Sequence, residues 1–474
     1  MNLGWAELAI GLLVTALDVA AIARAVYRAH GVERTLAWIL AIIAFPGVGA
    51  AAYLLAASPS VRLTTSRKQR AAHALQRQTC AEVPGELAQD CAVLQLSSQL
   101  TGLTPSTGNR VTLLAESDAA FEQIESALGA ARDRIYAEYY LIRRDNTGHR
   151  FLDLLAARAR DGVEVKLLYD AVGSLGVDSD RLATIRQAGG RAEVFLPVNP
   201  FGRRWSVHLR NHRKLIAVDG QVGFTGGMNV GDEYSGRARR RGGLHFRDSH
   251  LALTGPSVLD LEQVFLEDWA FATDEKLSPS APSPSAEASQ AGRSVVSIVP
   301  SGPDQERNAS EMVYFSGVAS ARTRVFLTSP YFIPAEPLLY ALSSAALRGV
   351  DVRILVPARP DVVLVGAAAR SYYRRLIRSG VRIFEYLPSM LHAKTLAVDG
   401  SWGIVGSANL DLRSFRLNFE LGAVVRDADF AAELEQRFFT DLEQSREVTP
   451  ERLAARGRLR RFGDGIAWLF SPLL

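Results

Sequence analysis

Two long apolar stretches open the chain. Leu3 to Val26 is apolar except for a few positions, among them Glu7 and Asp18, and Leu36 to Ala57 is apolar throughout around a central Pro-Gly pair. The second stretch is long enough to cross a bilayer and the first is marginal. Ionisable groups are costly in hydrocarbon, so we expect Glu7 and Asp18 near the interfaces or facing the neighbouring helix. The pattern predicts a transmembrane helical hairpin over residues 1–60, with two buried helices of a soluble protein as the alternative.

After residue 108 the pattern changes to short apolar runs separated by Gly and Pro. Three of these runs occur twice, in the same order. Residues 134–142 resemble 324–333, residues 162–170 resemble 349–357, and residues 189–197 resemble 380–388. Each half reads as strand, helix, strand, helix, strand, which predicts an α/β unit with a mostly buried sheet. We expect two similar α/β halves, residues 109–276 and 295–474.

The segments around these halves have other compositions. Residues 61–108 connect the hairpin to the first half, and residues 277–294 are rich in Ser, Pro and Ala, as in a flexible linker. An insertion at 198–211, present in the first half alone, is expected to overhang the site. The chain ends in a basic cluster at 456–461 and an apolar tail at 466–474, which is expected either to seek a membrane surface or to pack onto the second half.

One block of polar residues is repeated with the same spacing in both halves: His-x-Lys, four residues, Asp, six residues, then Gly-Gly or Gly-Ser, x, Asn. The copies are His212, Lys214, Asp219, Gly226, Gly227 and Asn229, and His392, Lys394, Asp399, Gly406, Ser407 and Asn409. In a strand the His and the Lys of each copy point the same way. An imidazole beside an ammonium and an amide suits phosphoryl chemistry at a site shared by the halves.

Each Asp of the block has a structural interpretation that competes with a chemical one. Asp219-Gly220 and Asp399-Gly400 are strong signals for two-residue hairpin turns. We therefore interpret each Asp first as a turn-forming residue and second as a residue that transfers protons.

The charge and the cysteine content limit the classes of ligand and cofactor that the protein is expected to bind. Most basic residues are arginines, since only five of the 54 are lysines. Two of these five lysines nevertheless occupy the blocks. This indicates that the blocks need a compact positive charge beside a phosphoryl oxygen. The net charge of +4 favours anionic material but is too small to argue for nucleic acid. Cys80 and Cys91 cannot form a metal site by themselves, and the sequence leaves open a disulfide or two thiols. We expect no metal and no other cofactor.

The paired blocks resemble those of the phospholipase D superfamily, and the chain resembles its bacterial cardiolipin synthase branch over nearly its whole length. The motifs that carry this resemblance are AWILAIIAFPGVGAAAYLL at 37–55, RNHRK at 210–214, GGMNVGDEY at 226–234, SGPD at 301–304, SPYFIP at 329–334 and GSANLDLRSFRLNFE at 406–420. Gly227 stands where many superfamily relatives have Ser. The resemblance implies two phospholipase D-like α/β sandwich halves that form one active site.

The resemblance also implies a two-step transfer between two phosphatidylglycerol molecules. His212 would attack one phosphorus and give a covalent phosphatidyl-histidine, while His392 would protonate the departing glycerol and later activate the second headgroup. Residues implied to act on the phosphoryl group are Lys214, Lys394, Asn229, Asn409 and Ser407, with Asp219 and Asp399 completing the catalytic set. As orienting acids the resemblance implies Glu420 for His392 and Asp248 for His212. A multi-pass location in the bacterial inner membrane follows, and the loop charges favour a cytoplasmic catalytic face.

Four other functions compete with this reading. A hydrolase would use the same residues and let water take the second step. A related transferase would accept another headgroup, such as ethanolamine or serine. A nuclease of the superfamily needs a cationic channel and no membrane hairpin, and a membrane scaffold would not need both complete blocks. The sequence leaves the oligomeric state and the acyl-chain preference open.

Overall fold

The computed structural model describes residues 3–28, 32–56, 92–198, 208–237, 245–275, 292–469 and 471. Several predicted features therefore lie wholly or mostly outside the described residues: both cysteines, most of the connecting segment, most of the linker, and most of the insertion. The chain divides into two compact units, Met1–Thr64 and Thr65–Leu474.

The described residues of the first unit form three helices. They are α1 (Leu3–Arg28), α2 (Val32–Ala44) and α3 (Val48–Ala56). In the described part of the chain, one helical stretch, Glu7–Tyr27, is long and apolar enough to cross a membrane. The second apolar segment is divided between α2 and α3, because Pro46 lacks the N–H that helix continuation needs and Gly47 has a φ of +76°. The predicted hairpin is thus supported for its first pass, and its second segment is a broken helix.

Asp18 has a polar partner inside this unit. Its Oδ1 accepts a hydrogen bond of 2.9 Å from the backbone N–H of Gly47, at the break between α2 and α3. Small side chains let the helices approach, since Ala21, Ala25 and Ala50 are buried together. The expectation that Asp18 faces the neighbouring helix is confirmed.

The second unit contains a large mixed sheet covered by helices and a separate sheet of two short strands. Its strands are β1 (Ser106–Leu114), β2 (Arg134–Tyr139), β3 (Glu164–Asp170), β4 (Arg191–Phe195), β5 (Arg210–Asn211), β6 (Lys214–Val218), β7 (Val222–Gly226), β8 (Phe246–Arg247), β9 (His250–Thr254), β10 (Ser294–Ser301), β11 (Arg324–Thr328), β12 (Asp351–Pro357), β13 (Arg382–Tyr386), β14 (Met390–Leu391), β15 (Thr395–Val398), β16 (Trp402–Gly406), β17 (Asn418–Arg426) and β18 (Ser445–Glu447).

The helices of this unit connect the parallel strands of each half and also precede and follow them. They are α4 (Ala92–Thr101), α5 (Ser117–Ala130), α6 (Asn146–Arg160), α7 (Ser179–Gln187), α8 (Ser257–Thr273), α9 (Ala309–Ser320), α10 (Glu336–Leu347), α11 (Val363–Arg378), α12 (Leu412–Arg416), α13 (Ala428–Glu443), α14 (Pro450–Ala455) and α15 (Arg458–Leu469).

Strand order confirms the duplication. The sheet runs β18-β13-β12-β11-β15-β16-β17-β10-β1-β9-β7-β6-β2-β3-β4. Moving outward from the antiparallel β1–β10 pair, the two directions meet equivalent strands in the same order, ending at β4 on one side and at β13, with β18 added, on the other. The two similar α/β halves share one continuous sheet, and the first half begins at Ser106.

Both predicted hairpins are present. β6 and β7 pair around Asp219-Gly220, and β15 and β16 pair around Asp399-Gly400. All four turn residues have a positive φ, from 52° to 66°. That conformation suits a β-turn centred on Asp-Gly, but Val218 pairs with Val222 and Val398 with Trp402, so each loop has three residues instead of the two predicted. Each hairpin therefore lies in its sheet with the His-x-Lys end away from the turn.

Candidate active site

Two short parallel strand pairs bring the repeated blocks together. β5, which ends one residue before His212, pairs with the start of β17, so that Asn211 lies opposite Phe419. β14, which ends one residue before His392, pairs with β8, so that Leu391 lies opposite Arg247. Each histidine segment is therefore bonded to a strand of the other half.

These pairs decide which acid meets which histidine. The backbone N–H of His212 donates to the carbonyl of Phe419 over 2.8 Å, and Nδ1 of His212 lies 2.9 Å from Oε2 of Glu420. In the other half, the backbone N–H of His392 donates to Arg247 over 2.7 Å, and its Nδ1 lies 2.6 Å from Oδ2 of Asp248.

The predicted pairing of acids and histidines within each half was therefore wrong. Glu420 contacts His212 and Asp248 contacts His392, each across the boundary between halves. The reason is topological: β5 and β14 cross to the opposite half before each histidine, so the residue next in register on the partner strand is the acid of that half. The two blocks form one site.

The imidazoles differ in what surrounds Nδ1. Nδ1 of His212 faces the carboxylate of Glu420, which favours the tautomer whose Nδ1–H donates to Glu420 and whose Nε2 keeps its lone pair. Nδ1 of His392 lies between Asp248 at 2.6 Å and Nζ of Lys394 at 2.7 Å. It can donate to the carboxylate or accept from the ammonium, but not both at once.

Burial and neighbouring charges shift the titration of the whole cluster. Burial lowers the pKa of His212, against the opposing effect of Glu420, and burial together with Lys394 lowers the pKa of His392 to about 4. Burial alone would raise the pKa of Asp248 and of Glu420, but the neighbouring cationic groups hold both pKa values below the ordinary carboxyl value. The ligand-free site thus contains neutral imidazoles beside ionised acids.

Both lysines of the blocks are fully buried at this site. Nζ of Lys214 donates to the carbonyl of His212 over 2.6 Å, and Nζ of Lys394 donates to the carbonyl of His392. Burial lowers the pKa of Lys214 to about 7, with Lys394 adding repulsion from the other half. An anionic phosphoryl group would relieve that repulsion, so the pair is suited to bind one.

Asn229 and Asn409 follow the Gly-rich turns of the two blocks. Both are buried, and the Oδ1 atom of each has no hydrogen-bond partner among the residues that the structure describes. The hydroxyl of Tyr234 is hydrogen-bonded to the side-chain amide of Asn229. The Nδ2 group of each amide can donate to an anionic oxygen, whereas its unpartnered Oδ1 can only accept, for example from a ligand hydroxyl.

Ser407, predicted to bind phosphate, is instead placed to hold an acid. Its Oγ donates to Oε2 of Glu420 over 2.5 Å and accepts from the N–H of Leu421 over 2.9 Å. Asn418 donates to the second oxygen of Glu420 over 3.1 Å. Ser407 therefore fixes the carboxylate that orients His212, and its assignment to substrate is corrected.

Asp219 and Asp399 are corrected in the same way. The carboxylate of Asp219 accepts hydrogen bonds from the backbone N–H groups of residues 132–134, at 2.8 to 2.9 Å, and Asp399 does so for residues 322–324, at 2.7 to 2.9 Å. Both lie at the turn end of their strand, about 16 Å along the chain from the lysine. They tie each hairpin to the start of the neighbouring strand, as the turn interpretation predicted.

Aromatic residues that sequence reasoning did not single out pack on the imidazoles. The ring of Tyr140 is edge-on to His212 at 4.9 Å, and Tyr234 and Phe246 contact His392 at 5.5 and 5.2 Å. His250 is another buried imidazole, and burial lowers its pKa to about 4. Tyr140 and Tyr234 belong to segments that the duplication and the GGMNVGDEY motif had already marked. Across the described residues, no group of three or more His, Cys, Asp or Glu side chains could hold a metal ion.

Comparison with known families identifies this arrangement. The family described as cardiolipin synthase, PLD-like domain, matches residues 124–239 and 315–442, which contain both blocks, and the Phospholipase D-nuclease N-terminal family matches residues 16–57. Cardiolipin synthase A of Pseudomonas putida is 36% identical over 474 residues, covering 98% of this chain and 97% of the relative. The chain belongs to the cardiolipin synthase family of the phospholipase D superfamily. It is a phosphatidyltransferase, and its family and its N-terminal apolar helix make it membrane-associated.

Other relatives agree with this family. Cardiolipin synthase A of Pseudomonas aeruginosa is 42% identical over 372 residues, covering 78% of this chain and 75% of the relative, and cardiolipin synthase 2 of Bacillus anthracis is 36% identical over 454 residues, covering 93% and 87%. A solved structure of phosphatidylserine synthase from Haemophilus influenzae has a TM-score of 0.61 at 16% identity, covering 81% of this chain and all of that one. It supports the fold alone.

Proposed function

We propose that this cardiolipin synthase family member makes cardiolipin and glycerol from two phosphatidylglycerol molecules, and that His212 is the nucleophile. The observation that carries the assignment is the difference between the two imidazoles. Glu420 fixes the proton of His212 on Nδ1 and leaves Nε2 nucleophilic, whereas His392 has both a proton acceptor and a proton donor at Nδ1. The environment of His392 therefore suits the general acid and base, whose protonation state must change twice per turnover.

In the first step Nε2 of His212 attacks phosphorus, forming a P–N bond as the P–O bond to the glycerol headgroup breaks. His392 gives a proton to the departing glycerol oxygen. Binding of the anionic phosphodiester favours protonated His392, which is neutral in the free site. The products of this step are glycerol and a phosphatidyl group on His212.

In the second step a headgroup hydroxyl of another phosphatidylglycerol attacks the same phosphorus. His392 takes the hydroxyl proton, the new P–O bond forms, and the P–N bond to His212 breaks. Lys214, Lys394, Asn229 and Asn409 bind the non-bridging oxygens, on which negative charge builds in each five-coordinate transition state. These groups belong to both halves, and the site works as one unit.

Product analysis tests the reaction. The purified full chain is incubated with phosphatidylglycerol vesicles, and lipids and glycerol are measured by mass spectrometry beside the His212→Ala variant. Cardiolipin with an equal amount of glycerol, absent from the variant, is the expected result. Phosphatidic acid as the main product would replace the transferase by a hydrolase, and products that require added ethanolamine or serine would replace the second substrate.

We further propose that both apolar segments of the first unit cross the membrane and that the catalytic unit is cytoplasmic. Together α2 and α3 span enough residues for a bilayer despite the break at Pro46, and the bond from Gly47 to Asp18 supports their packing on α1. Reporter fusions at the C-terminus, read in the cytoplasm and in the periplasm, test the orientation. Activity of a periplasmic reporter would contradict it.

A further inference from the structure

The C-terminal helix α15 packs on the catalytic unit through its polar and small residues. Asp464 and Ala467 are its buried side chains, and Oδ1 of Asp464 lies 3.1 Å from Nη2 of Arg370 on α11. Ser371 of α11 donates to the carbonyl of Asp464 over 3.1 Å. The side of α15 that faces the protein is therefore defined by Asp464 and Ala467.

The opposite side of α15 is apolar and faces outward. Leu459, Phe462, Ile466 and Leu469 follow one another at spacings of three, four and three residues, which places them on one helix face. They are 87%, 67%, 42% and 68% exposed, respectively. An amphipathic helix on the surface of a soluble protein has the reverse arrangement, with its apolar face packed against the protein core. A large outward apolar face on a short helix is typical of helices that lie in the membrane interface.

A basic groove lies on the protein-facing side of α15, between α11, α14 and α15. It has a volume of about 460 Å³, and five arginines and a single acid line it: Arg370, Arg374, Arg378, Arg456, Arg461 and Asp464. Asp464 pairs with Arg370 and Arg456 at 3.1 Å. The guanidinium groups of Arg374, Arg378 and Arg461 have no carboxylate partner in the part of the chain that the structure describes.

We propose that α15 docks the catalytic unit on an anionic bilayer, and that the arginine groove beside it binds the phosphate of a membrane phospholipid outside the active site. Guanidinium groups match phosphate oxygens in geometry as well as charge, and the excess of arginine over acid gives the complementarity. The apolar face of α15 selects a lipid over a soluble phosphate ester, because it would enter the acyl boundary while the groove meets the headgroups. This inference does not depend on which headgroup the active site accepts.

Hydrogen exchange of the full chain tests the docking. The protein is placed in phosphatidylcholine nanodiscs with or without phosphatidylglycerol, and in detergent micelles with or without soluble glycerol phosphate. We expect the exchange rates of the backbone amides of 458–469 to be lower by about tenfold or more in the discs that contain phosphatidylglycerol than in micelles. Exchange of β10 and β17 is expected to be the same everywhere, which verifies the fold.

Two pairs of variants separate the apolar face from the groove. Leu459→Asp with Phe462→Asp should abolish the protection in all discs, whereas Leu347→Asp, at a leucine 74% exposed on α10, should leave it unchanged. Arg374→Gln with Arg378→Gln should remove the part of the protection that requires phosphatidylglycerol. Arg132→Gln with Arg322→Gln, which removes the same charge from other exposed positions, should not.

Three results would overturn the proposal. Exchange of α15 that is equally fast in discs and micelles would exclude docking. Protection that is equal with and without phosphatidylglycerol would exclude the anionic phosphate site. Protection by soluble glycerol phosphate in micelles, with none added by lipid, would assign the groove to a soluble ligand. None of these readouts measures cardiolipin formation, so failure here is distinguishable from failure of the proposed reaction.

Discussion

Oε2 of Glu420 lies 2.9 Å from Nδ1 of His212, although the two residues are 208 positions apart and belong to different halves. Asp248 and His392, 144 positions apart, make the reciprocal contact. Each half supplies a histidine to one dyad and an acid to the other, so neither half alone holds an oriented imidazole. Both halves are therefore needed to orient the two imidazoles.

The crossed dyads predict the effect of Glu420→Gln. The amide keeps the shape of the side chain but removes the charge that raises the pKa of His212, so we expect turnover to fall by about 10²-fold with the fold intact. Reaction of each histidine with diethyl pyrocarbonate, followed by peptide mass spectrometry across pH, should show a lower pKa for His212 and little change for His392. A shift confined to His392 would contradict the crossed pairing.

Asp219→Asn should lower stability without affecting chemistry. Three backbone N–H groups lose a charged acceptor, which should cost about 1 to 3 kcal/mol of unfolding free energy. Asn tolerates the positive φ of 55° at this turn, so the change isolates the charge. Thermal unfolding and product formation are measured on the same sample. A loss of turnover at temperatures where the variant is folded would return Asp219 to the mechanism.

Gly227→Ser should impair catalysis through Asp248. A Cβ at Gly227 would overlap the carboxylate of Asp248, which would have to leave its position beside His392. We expect turnover to fall about as far as in Asp248→Asn. Gly129→Ala is the matched control, because nothing lies within 4 Å of a Cβ at that position of α5. Normal activity of Gly227→Ser would show that the carboxylate can be held elsewhere.

The alkaline limb of the pH profile should belong to Lys214. Its pKa is lowered to about 7, so the ammonium of the free enzyme loses its proton as the pH rises through that value, and kcat/KM should then fall. In Lys214→Arg the charge persists at all accessible pH values, so the variant should be slower but should lack this limb. The same limb in both proteins would assign it to another group.

The sequence predicted the parts of the fold that depend on local pattern. The Asp-Gly turns at 219 and 399 were evident because Asp-Gly is a strong hairpin signal, and the two α/β halves were evident from the repeated apolar runs. The cost of a carboxyl group in an apolar segment likewise predicted that Asp18 lies near an interface or faces the neighbouring helix, and the second alternative is observed.

The sequence could not show contacts that depend on long-range register. The pairing of Glu420 with His212 follows from β5 bonding to β17, and a two-residue strand leaves no periodic signal. The role of Ser407 was missed because its hydroxyl is directed to Glu420 instead of into the substrate site. The apolar pattern of residues 36–57 predicts one continuous segment, whereas Pro46 removes an N–H that a continuous helix needs.

Trapping the covalent intermediate tests the central claim most directly. Wild-type protein and the His392→Ala and His212→Ala variants are mixed with phosphatidylglycerol, quenched within the first turnover, digested under conditions that preserve phosphohistidine, and analysed by mass spectrometry. A phosphatidyl group on the peptide that contains His212, in wild type or in His392→Ala and never in His212→Ala, is the result we predict. Modification of the peptide that contains His392 would contradict the assignment of the nucleophile.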